Sequence, residues 1–190
     1  MSSIPLTKGR QATVDTADYD YLTEIGSWCY SSSGYAVHYS SDEFGKRTVL
    51  YMHRIIMERM LGDLIPLGYQ VDHISGAADG IAARLDNRRE NLRLATRSQN
   101  QAHKGLAVNN TSLYKGISWN QGKWEARIKY GQRRLHLGRY TDAQTAATMY
   151  DAAARLLYQD FAGCNFSDQP TPPCIEEQLQ AILARYGLAV

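Results

Sequence analysis

A carboxylate, an imidazole and two carboxamides lie within one short stretch of this 190-residue sequence. Asp72 and His73 are adjacent, at the end of a short apolar run, and Asn91 and Asn100 follow them. Carboxylate and amide oxygens are hard ligands that suit Mg²⁺, whose remaining positions water and phosphate can fill. A neutral histidine, with a reference pKa of about 6.5, can take a proton from water near neutrality. Base, metal and phosphate together indicate hydrolysis of a phosphodiester.

Two strands and a helix must position these residues. One short apolar run ends at His73 and another covers 92–95, and each predicts a strand. Between them lie a glycine-marked loop and the polar segment 86–91. Thr96 and Gln99 have the spacing of a capping box, which predicts that a helix begins there and carries the last asparagine. The local order is therefore strand, loop, strand, helix.

The phrases VDHISG, LDNRRENLR and TRSQN in this stretch resemble the HNH endonucleases and their ββα-metal motif. The resemblance implies that His73 is the general base and that Asn91 orients this imidazole or its own loop. It implies that Asp72 and Asn100 bind Mg²⁺ or another divalent cation such as Mn²⁺. It favours the branch of the family related to phage homing enzymes.

Other histidines nearby leave alternatives open. His103 lies three residues after Asn100, on about the same helix face, and is a rival metal ligand or a phosphate contact. His53 and Arg54 suit phosphate contact beside the metal, but His53 is equally suited to burial as a hydrogen-bonded core residue.

The asparagines of the loop have a structural interpretation as well. Asn87 and Asn91 are typical turn residues, because asparagine tolerates left-handed backbone and caps locally. The segment 77–85 is longer than the usual loop of the family, so the distance from the Asp-His pair to Asn91 is not set by the resemblance.

The composition limits the classes of protein. Net charge at pH 7 is +2, and Lys and Arg exceed Asp and Glu between residues 69 and 166, where a polyanion is expected to bind. Three widely spaced cysteines without a CxxC pair argue against structural zinc and against a disulfide framework. No signal peptide and no apolar stretch of transmembrane length are evident. We expect a soluble cytoplasmic protein, in the host cytoplasm if a phage encodes it, without a membrane partner.

Residues 1–50 are expected to form a β-rich region that supports the site. Short alternating apolar segments predict strands there, and Trp28 and Tyr35 are assigned to its core. Residues 51–61 predict an amphipathic helix with Met60 on its apolar face.

A second set of elements follows a polar linker at 105–111. Alternating patterns predict strands over 114–119, 123–129 and 134–137, and a helix begins at Thr141 with a capping-box spacing. Small apolar residues let this helix lie close on one face of the sheet. Nearly every outward position of the other face is basic, which favours binding in a DNA groove.

The phrases YKGISW, GKWEARI, RRLHLGRY and AATMYDAAARLLY, with Asn165-Phe166, resemble the AP2 DNA-binding domain, which occurs in plant transcription factors and in fusions with phage HNH nucleases. The resemblance implies double-stranded DNA as the partner. The candidate DNA contacts are Lys115, Lys123, Arg127, Lys129, Arg134, His136 and Arg139. Arg127 stands where plant members carry an acid and His136 where they carry tryptophan, so the plant target sequence does not transfer.

We therefore predict an α+β protein. A β-rich region (1–50) precedes a ββα-metal nuclease module (51–105), and an AP2-like three-stranded antiparallel sheet with one packed helix follows (110–167). A proline-rich link and a short helix complete the chain (168–190), and this helix either pads the AP2-like domain or mediates self-association. The predicted activity is metal-dependent nicking of DNA by a monomer of the homing type.

Two other functions remain open. A non-cleaving DNA-binding regulator would carry a degenerate nuclease module, and the complete set of Asp72, His73, Asn91 and Asn100 speaks against it. An RNA-binding module is less well supported, because Trp119 alone gives no platform for stacking bases.

Overall fold

The structure is a computed structural model that describes residues 1–41, 43–75, 80–106 and 109–188. The start of the segment 77–85 and the middle of the linker 105–111, both of which the sequence marks as loops, lie outside these residues. The chain divides into two compact units, Met1–Arg97 and Ser98–Val190. Small antiparallel sheets and separate helices make it an α+β protein.

The first unit begins with a β-hairpin and a helix. β1 (Ser2–Leu6) pairs antiparallel with β2 (Arg10–Val14), and α1 (Thr16–Ile25) follows. Only strands and turns are predicted here, since the threonines and tyrosines of α1 favour strands. Tertiary contacts override this preference, because α1 buries Asp18 and Leu22 completely.

A three-stranded antiparallel sheet follows in the first unit. β3 (Cys29–Tyr30), β4 (Ala36–Ser41) and β5 (Arg47–Tyr51) lie side by side in that order. Trp28 is in the core, as predicted, and its indole N–H donates to the carbonyl of Leu22 at 2.8 Å.

Helix α2 (Met52–Leu61) confirms the predicted helix over 51–61. It ends at Gly62, whose left-handed φ of +68° suits glycine. Met60 is 40% exposed and does not belong to the buried face, on which Met57 lies instead.

The strand pair predicted around the Asp-His residues is present. β6 (Tyr69–His73) pairs antiparallel with β7 (Leu92–Thr96), which places His73 opposite Leu92 and Asp72 opposite Arg93. Helix α3 (Gly80–Leu85) and a 3₁₀ turn (Arg89–Asn91) lie between these strands, and α4 (Arg97–His103) begins directly after β7.

The second unit contains the predicted three-stranded antiparallel sheet. β8 (Ile117–Asn120), β9 (Lys123–Tyr130) and β10 (Arg133–Tyr140) have the spatial order β10-β9-β8. Helix α5 (Ala143–Tyr158) packs against the sheet. Its N-cap is Asp142, whose carboxylate accepts from the Thr145 amide at 2.7 Å, and the capping box expected from Thr141 is not used.

A bulge in β10 adjusts the side chains that face outward. The register shifts between His136, which lies opposite Arg127, and Gly138, which lies opposite Ala126. A β-carbon at Gly138 would lie 2.7 Å from the Tyr140 hydroxyl, and its φ of +131° also requires glycine. The extra residue brings Arg139 opposite Glu125, so His136 and Arg139 share the outer face.

Helix α6 (Pro173–Ala184) packs into the core of its own unit. Ile175, Leu179 and Leu183 are buried together with residues of α5 and the sheet. Beyond it, the Tyr186 hydroxyl accepts from the His136 amide at 2.9 Å, on the edge strand. Padding is thus the alternative that the structure supports for the predicted C-terminal helix. None of the described helices combines the length and the apolar character needed to cross a membrane.

Candidate active site and nucleic-acid interface

His73 lies at the end of β6, and the turn before β7 holds the chain that follows it. The residue is 7% exposed. The amide of the next residue, Ile74, donates to the Asn91 carbonyl at 2.8 Å. The backbone therefore brings the polar segment 86–91 directly beside the histidine.

The N-terminal elements anchor this polar segment. The Asn87 amide donates to the Thr13 carbonyl at 2.8 Å, and the Arg89 amide donates to the Asp15 carboxylate at 2.7 Å. The Arg89 guanidinium also pairs with Asp18, which is fully buried. Hydrogen bonding from Arg89 lowers the pKa of Asp18 against the opposing effect of burial, with a further contribution from Arg59. Contacts from β2, α1 and the residue between them thus hold the loop of the site in place.

Asn87 contacts the imidazole of His73. Its side-chain N–H donates to the Leu85 carbonyl at 3.1 Å, which orients the amide oxygen Oδ1 toward His73 Nε2, 3.4 Å away. An amide oxygen can only accept, so Nε2 carries the proton in this arrangement and Nδ1 holds the lone pair. Asn87 is 1% exposed. From the sequence, Asn87 is interpreted only as a turn residue.

The side chain of Asn91 fastens the loop through three hydrogen bonds. Its Oδ1 accepts from the Ser75 amide at 2.9 Å and from the Ser75 hydroxyl at 2.8 Å. Its side-chain N–H donates to the Asp86 carbonyl at 2.8 Å. Of the two roles suggested for Asn91, orientation of its loop is the one that these contacts favour.

Burial keeps the His73 ring neutral. Desolvation lowers the pKa of His73, and hydrogen bonding to Asn87 and the charges of Asp72 and Asp86 offset part of that effect. A neutral imidazole with one free lone pair is the form that accepts a proton.

A second histidine lies behind the first. The ring of His53 is 5.2 Å from the His73 ring between centroids, and the rings of Tyr35 and Tyr51 are 5.0 and 5.5 Å away from it. His53 is 8% exposed, and its Nδ1 has no hydrogen-bond partner within the part of the chain that the structure describes. Burial, with smaller electrostatic effects of His73 and Arg54, lowers the pKa of His53 to about 3. His53 is therefore buried, while Arg54 next to it is exposed.

Asp72 has the donor chemistry for a divalent cation but also a protein partner. Its carboxylate is 7% exposed, and Oδ2 lies 3.0 Å from the Arg93 guanidinium on the opposite strand. No group of three or more His, Cys, Asp or Glu side chains gathers as a metal cluster among the described residues. Mg²⁺ retains several waters and is held by one or two carboxylates, so a single aspartate with an amide oxygen fits this ion.

The two candidate ligands after β7 belong to the second unit. Asn100 and His103 lie on α4, of which all residues except Arg97 are part of that unit. Ser98 Oγ is 3.1 Å from the Tyr158 hydroxyl, and the Gly163 amide donates to the Ala102 carbonyl at 3.2 Å. That Asn100 shares an ion with the aspartate of β6 stays a prediction.

Lys115 is separated from the other candidate DNA contacts. Its ammonium group donates to the Ala102 carbonyl, and to the Lys104 carbonyl at 2.6 Å, at the C-terminal end of α4. A cation at this end of a helix is favourable. Burial lowers the pKa of Lys115 to about 8. The structure thus gives this lysine a place in the docking of α4.

The remaining candidates meet on one face of the sheet. His136 pairs in register with Arg127, and Arg134 with Lys129. All six of the following are exposed there or at its rim: Lys123, Arg127, Lys129, Arg134, His136 and Arg139. The Arg139 guanidinium also donates to the carbonyls of Asn120 and Gln121 in the β8–β9 turn, at 2.8 and 3.1 Å.

Glu125 is a residue of this face that the sequence did not single out. Strand alternation places it outward, yet it is 5% exposed because longer side chains cover it. The Arg127 guanidinium lies 2.8 Å from its carboxylate, and so does His136 Nε2. The signal available in the sequence was an acid at an outward position among basic neighbours.

Comparison with known proteins shows which family this chain is similar to. A family model described as HNH endonuclease matches residues 50–102. The chain is also similar to an uncharacterised HNH endonuclease of Acanthamoeba polyphaga mimivirus, with 33% identity over 161 residues, 85% of this chain and 78% of that protein.

Two plant proteins match shorter parts. The dehydration-responsive element-binding protein 2A of Oryza sativa subsp. indica is 41% identical over 75 residues, 37% of this chain and 27% of that protein. An ethylene-responsive transcription factor-like protein of Arabidopsis thaliana is 35% identical over 54 residues, 27% of this chain and 24% of that protein. The chain thus spans about a quarter of these plant relatives, a weak likeness that agrees with the AP2-like motifs.

Proposed function

The chain belongs to the HNH endonuclease family, and we propose that it hydrolyses phosphodiester bonds of double-stranded DNA with His73 as the general base. The observation that carries this proposal is the state of His73: a buried, neutral ring whose proton is directed to Nε2 by Asn87. Its Nδ1 is then the nitrogen that takes the proton from the attacking water.

The other residues of the first unit prepare this step. Asn91 and Ser75 hold the loop after β6, and the ion pairs of Arg89 hold the loop before β7. Asp72 and Asn100 are the residues that would hold Mg²⁺ or Mn²⁺. When bound, the ion would supply charge stabilisation at the phosphate and at the leaving 3′ oxygen. His103 remains the rival to Asn100 as a ligand.

The outer face of β8–β10 is the proposed DNA contact. Its exposed guanidinium and ammonium groups suit a duplex by charge, and a sheet can enter the major groove. The two plant relatives carry the names of a dehydration-responsive element-binding protein and of an ethylene-responsive transcription factor-like protein. This supports DNA as the substrate.

The test is cleavage of supercoiled plasmid or host phage DNA with Mg²⁺, against the same reaction with EDTA. His73→Ala should reduce the rate by about 10²–10⁴-fold, the range for a general base, while DNA affinity stays nearly unchanged because the base acts after binding. His38→Ala is the matched control, since this half-buried histidine contacts Ser27 and Trp28 and not His73. Normal cleavage by His73→Ala would remove the proposed mechanism.

The rival function, a DNA-binding protein that does not cleave, has one observation in its favour. The ion pair of Asp72 with Arg93 gives the aspartate a structural role that needs no metal. Asp72→Asn separates the two functions, because loss of cleavage with unchanged stability supports the metal role. A wild-type protein that binds duplex DNA and never cuts it, with Mg²⁺ or Mn²⁺, would establish the rival.

We also propose a monomer that nicks one strand. The sequence contains one Asp-His pair of this type and no repeat of the surrounding stretch, and the two DNA strands run antiparallel, so one site attacks one strand per binding event. Open circles should accumulate before linear DNA in a time course. Immediate linear product, with a rate that rises with the square of enzyme concentration, indicates a dimer.

A further inference from the structure

Glu125 is out of place on a surface built only to attract phosphates. It is an acid in the middle of β9, between exposed Lys123 and Arg127, and it lies on the side of the sheet proposed to meet DNA. A carboxylate there repels the phosphate backbone. Phosphate contacts also carry no sequence information by themselves, whereas contacts to base edges do. The acid therefore calls for a role other than backbone attraction.

The contacts of Glu125 show what it holds. Arg127 Nη2 lies 2.9 Å from Oε1 and 2.8 Å from Oε2, and His136 Nε2 lies 2.8 Å from Oε1. Asn120 adds a longer contact, from Nδ2 to Oε2 at 3.4 Å. A single buried carboxylate thus organises side chains from all three strands of the sheet.

Only part of the guanidinium is used in this network. The Glu125 side chain is 6% exposed, whereas the side chains of Arg127 and His136 are 50% and 45% exposed. The acid holds one terminal nitrogen of Arg127, and half of the side-chain surface stays exposed on the face where DNA is proposed to bind. A guanidinium held in one plane loses less side-chain entropy on forming two parallel hydrogen bonds.

We infer that Glu125 is a positioning residue that orients Arg127 to contact a guanine in the major groove, and that this pair helps to determine the DNA sequence that the protein binds. Arginine forms two hydrogen bonds to O6 and N7 of guanine, the commonest specific contact in that groove. The inference rests on the proposed function, because it assumes that the outer face of β8–β10 binds duplex DNA.

The experiment begins with selection of bound duplexes from a random library by the full-length protein in EDTA, which prevents cutting. Affinity is then measured for the selected site, for sites with each guanine replaced, and for mixed-sequence DNA. Glu125→Gln should reduce discrimination at one guanine position by about 5–150-fold, the range for one bidentate contact. Its affinity for mixed-sequence DNA should be equal or higher, because a negative charge has been removed.

Arg127→Lys tests the same contact without a change of charge. It should lose discrimination at the same guanine position while keeping its affinity for mixed-sequence DNA, because a lysine cannot reproduce the bidentate fork. A selected site with 7-deazaguanine at that position, which lacks the N7 acceptor, should weaken binding by wild type and not by Arg127→Lys.

The matched control is Lys129→Gln, an exposed neighbour two residues further along β9. It should weaken binding to all sequences alike and reduce the slope of affinity against salt by about 0.9, as for one phosphate contact. Thermal unfolding of each variant checks its fold, and Arg127→Lys carries the test if Glu125→Gln does not fold.

The outcomes are separable. Unchanged discrimination in Arg127→Lys, or an equal loss of affinity for every sequence in a folded Glu125→Gln, overturns the inference and gives Glu125 a purely structural role. Failure of the wild type to bind any duplex overturns the proposed function itself. If the selected site contains no guanine whose recognition depends on Arg127, the inference is overturned, but the proposed function is not.

Discussion

Histidine side chains lie in two regions of this molecule that have opposite surroundings. Around His73 the neighbouring rings and amides are buried, and His53 behind it is 8% exposed. On the outer face of β8–β10 the Arg127 and His136 side chains remain about half exposed, and Glu125 is the buried member of their network. Histidine is thus desolvated in one unit and about half exposed in the other.

This difference in exposure suits two different tasks, proton transfer in the buried region and recognition of a polyanion on the exposed face. Desolvation lowers the pKa of His73 and keeps its ring neutral, as a base requires. Exposed guanidinium and ammonium groups keep their charge and attract DNA over a distance of about a Debye length. The buried region depends on a few short contacts, so single substitutions should have large effects there and small effects on the exposed face.

The largest effect should follow from Asn87. Asn87→Ala removes the acceptor that fixes the proton of His73 on Nε2, and it leaves a buried N–H without that partner. We expect a fall in cleavage rate of about 100-fold or more, with about 1–3 kcal/mol lost from the free energy of unfolding and little change in DNA affinity. Single-turnover cleavage, denaturant unfolding and gel shift measure the three quantities.

Glu90→Gln is the control for this loop. Glu90 lies three residues after Asn87, in the 3₁₀ turn Arg89–Asn91, but its side chain is 70% exposed and pairs with Arg88 only at the surface. It should keep the wild-type rate. Comparable cleavage rates for Asn87→Ala and Glu90→Gln would mean that His73 acts as a base without the Asn87 contact.

A second effect, on stability and not on cleavage, is expected as the pH falls. His53 has a pKa of about 3 when folded and an ordinary value of about 6.5 when unfolded, so between these values the unfolded chain binds a proton that the folded chain does not. The free energy of unfolding should therefore be highest above pH 6.5 and fall by about 3 kcal/mol between pH 7 and pH 4 through His53 alone. The lowered pKa of His73 acts in the same direction.

His53→Phe keeps an aromatic ring in the cluster and removes the titrating group. Denaturant unfolding at pH 7 and pH 4 should show a flatter pH dependence for this variant than for wild type. If both proteins lose the same free energy, the proton is taken up elsewhere and His53 is not desolvated as described.

The smallest effect should follow from a single charge on the sheet face. Lys123→Gln removes one exposed ammonium, and we expect a few-fold weaker binding to any duplex and a salt slope reduced by about 0.9. Lys8→Gln makes the same charge change in the first unit, near Tyr30, and should alter affinity less. Equal losses in the two variants would show that total charge, and not this face, attracts DNA.

The fold was predictable where the hydrophobic period is clear. The alternation in β9 and the apolar stripe of α2 gave correct strands and helices. Helix α1 was missed because the contacts that stabilise it involve residues outside the segment. Asp18 forms ion pairs with Arg59 and Arg89, which are far away in the sequence. Local propensity does not contain such contacts.

The candidate site was predictable in residue types and less so in roles. The motif spacing predicted His73 and Asn91 as site residues. Whether Asn87 or Asn91 contacts the imidazole depends on the direction of each side-chain amide, which backbone pairing determines. Strand alternation placed Lys115 among the DNA contacts. In the structure Lys115 precedes β8, and its side chain donates to a carbonyl at the end of α4. Alternation predicts the direction of a side chain only within a regular strand.

Helix α4 limits how such a protein can be recombined. The boundary between the two units falls after Arg97, inside the helix, and the rest of α4 is held by Tyr158, Gly163 and Lys115 from the downstream unit. A chimera joined in the linker near residue 109 would separate Asn100 from the contacts that hold its helix. A junction that transfers a new recognition domain must therefore supply equivalents of those three contacts.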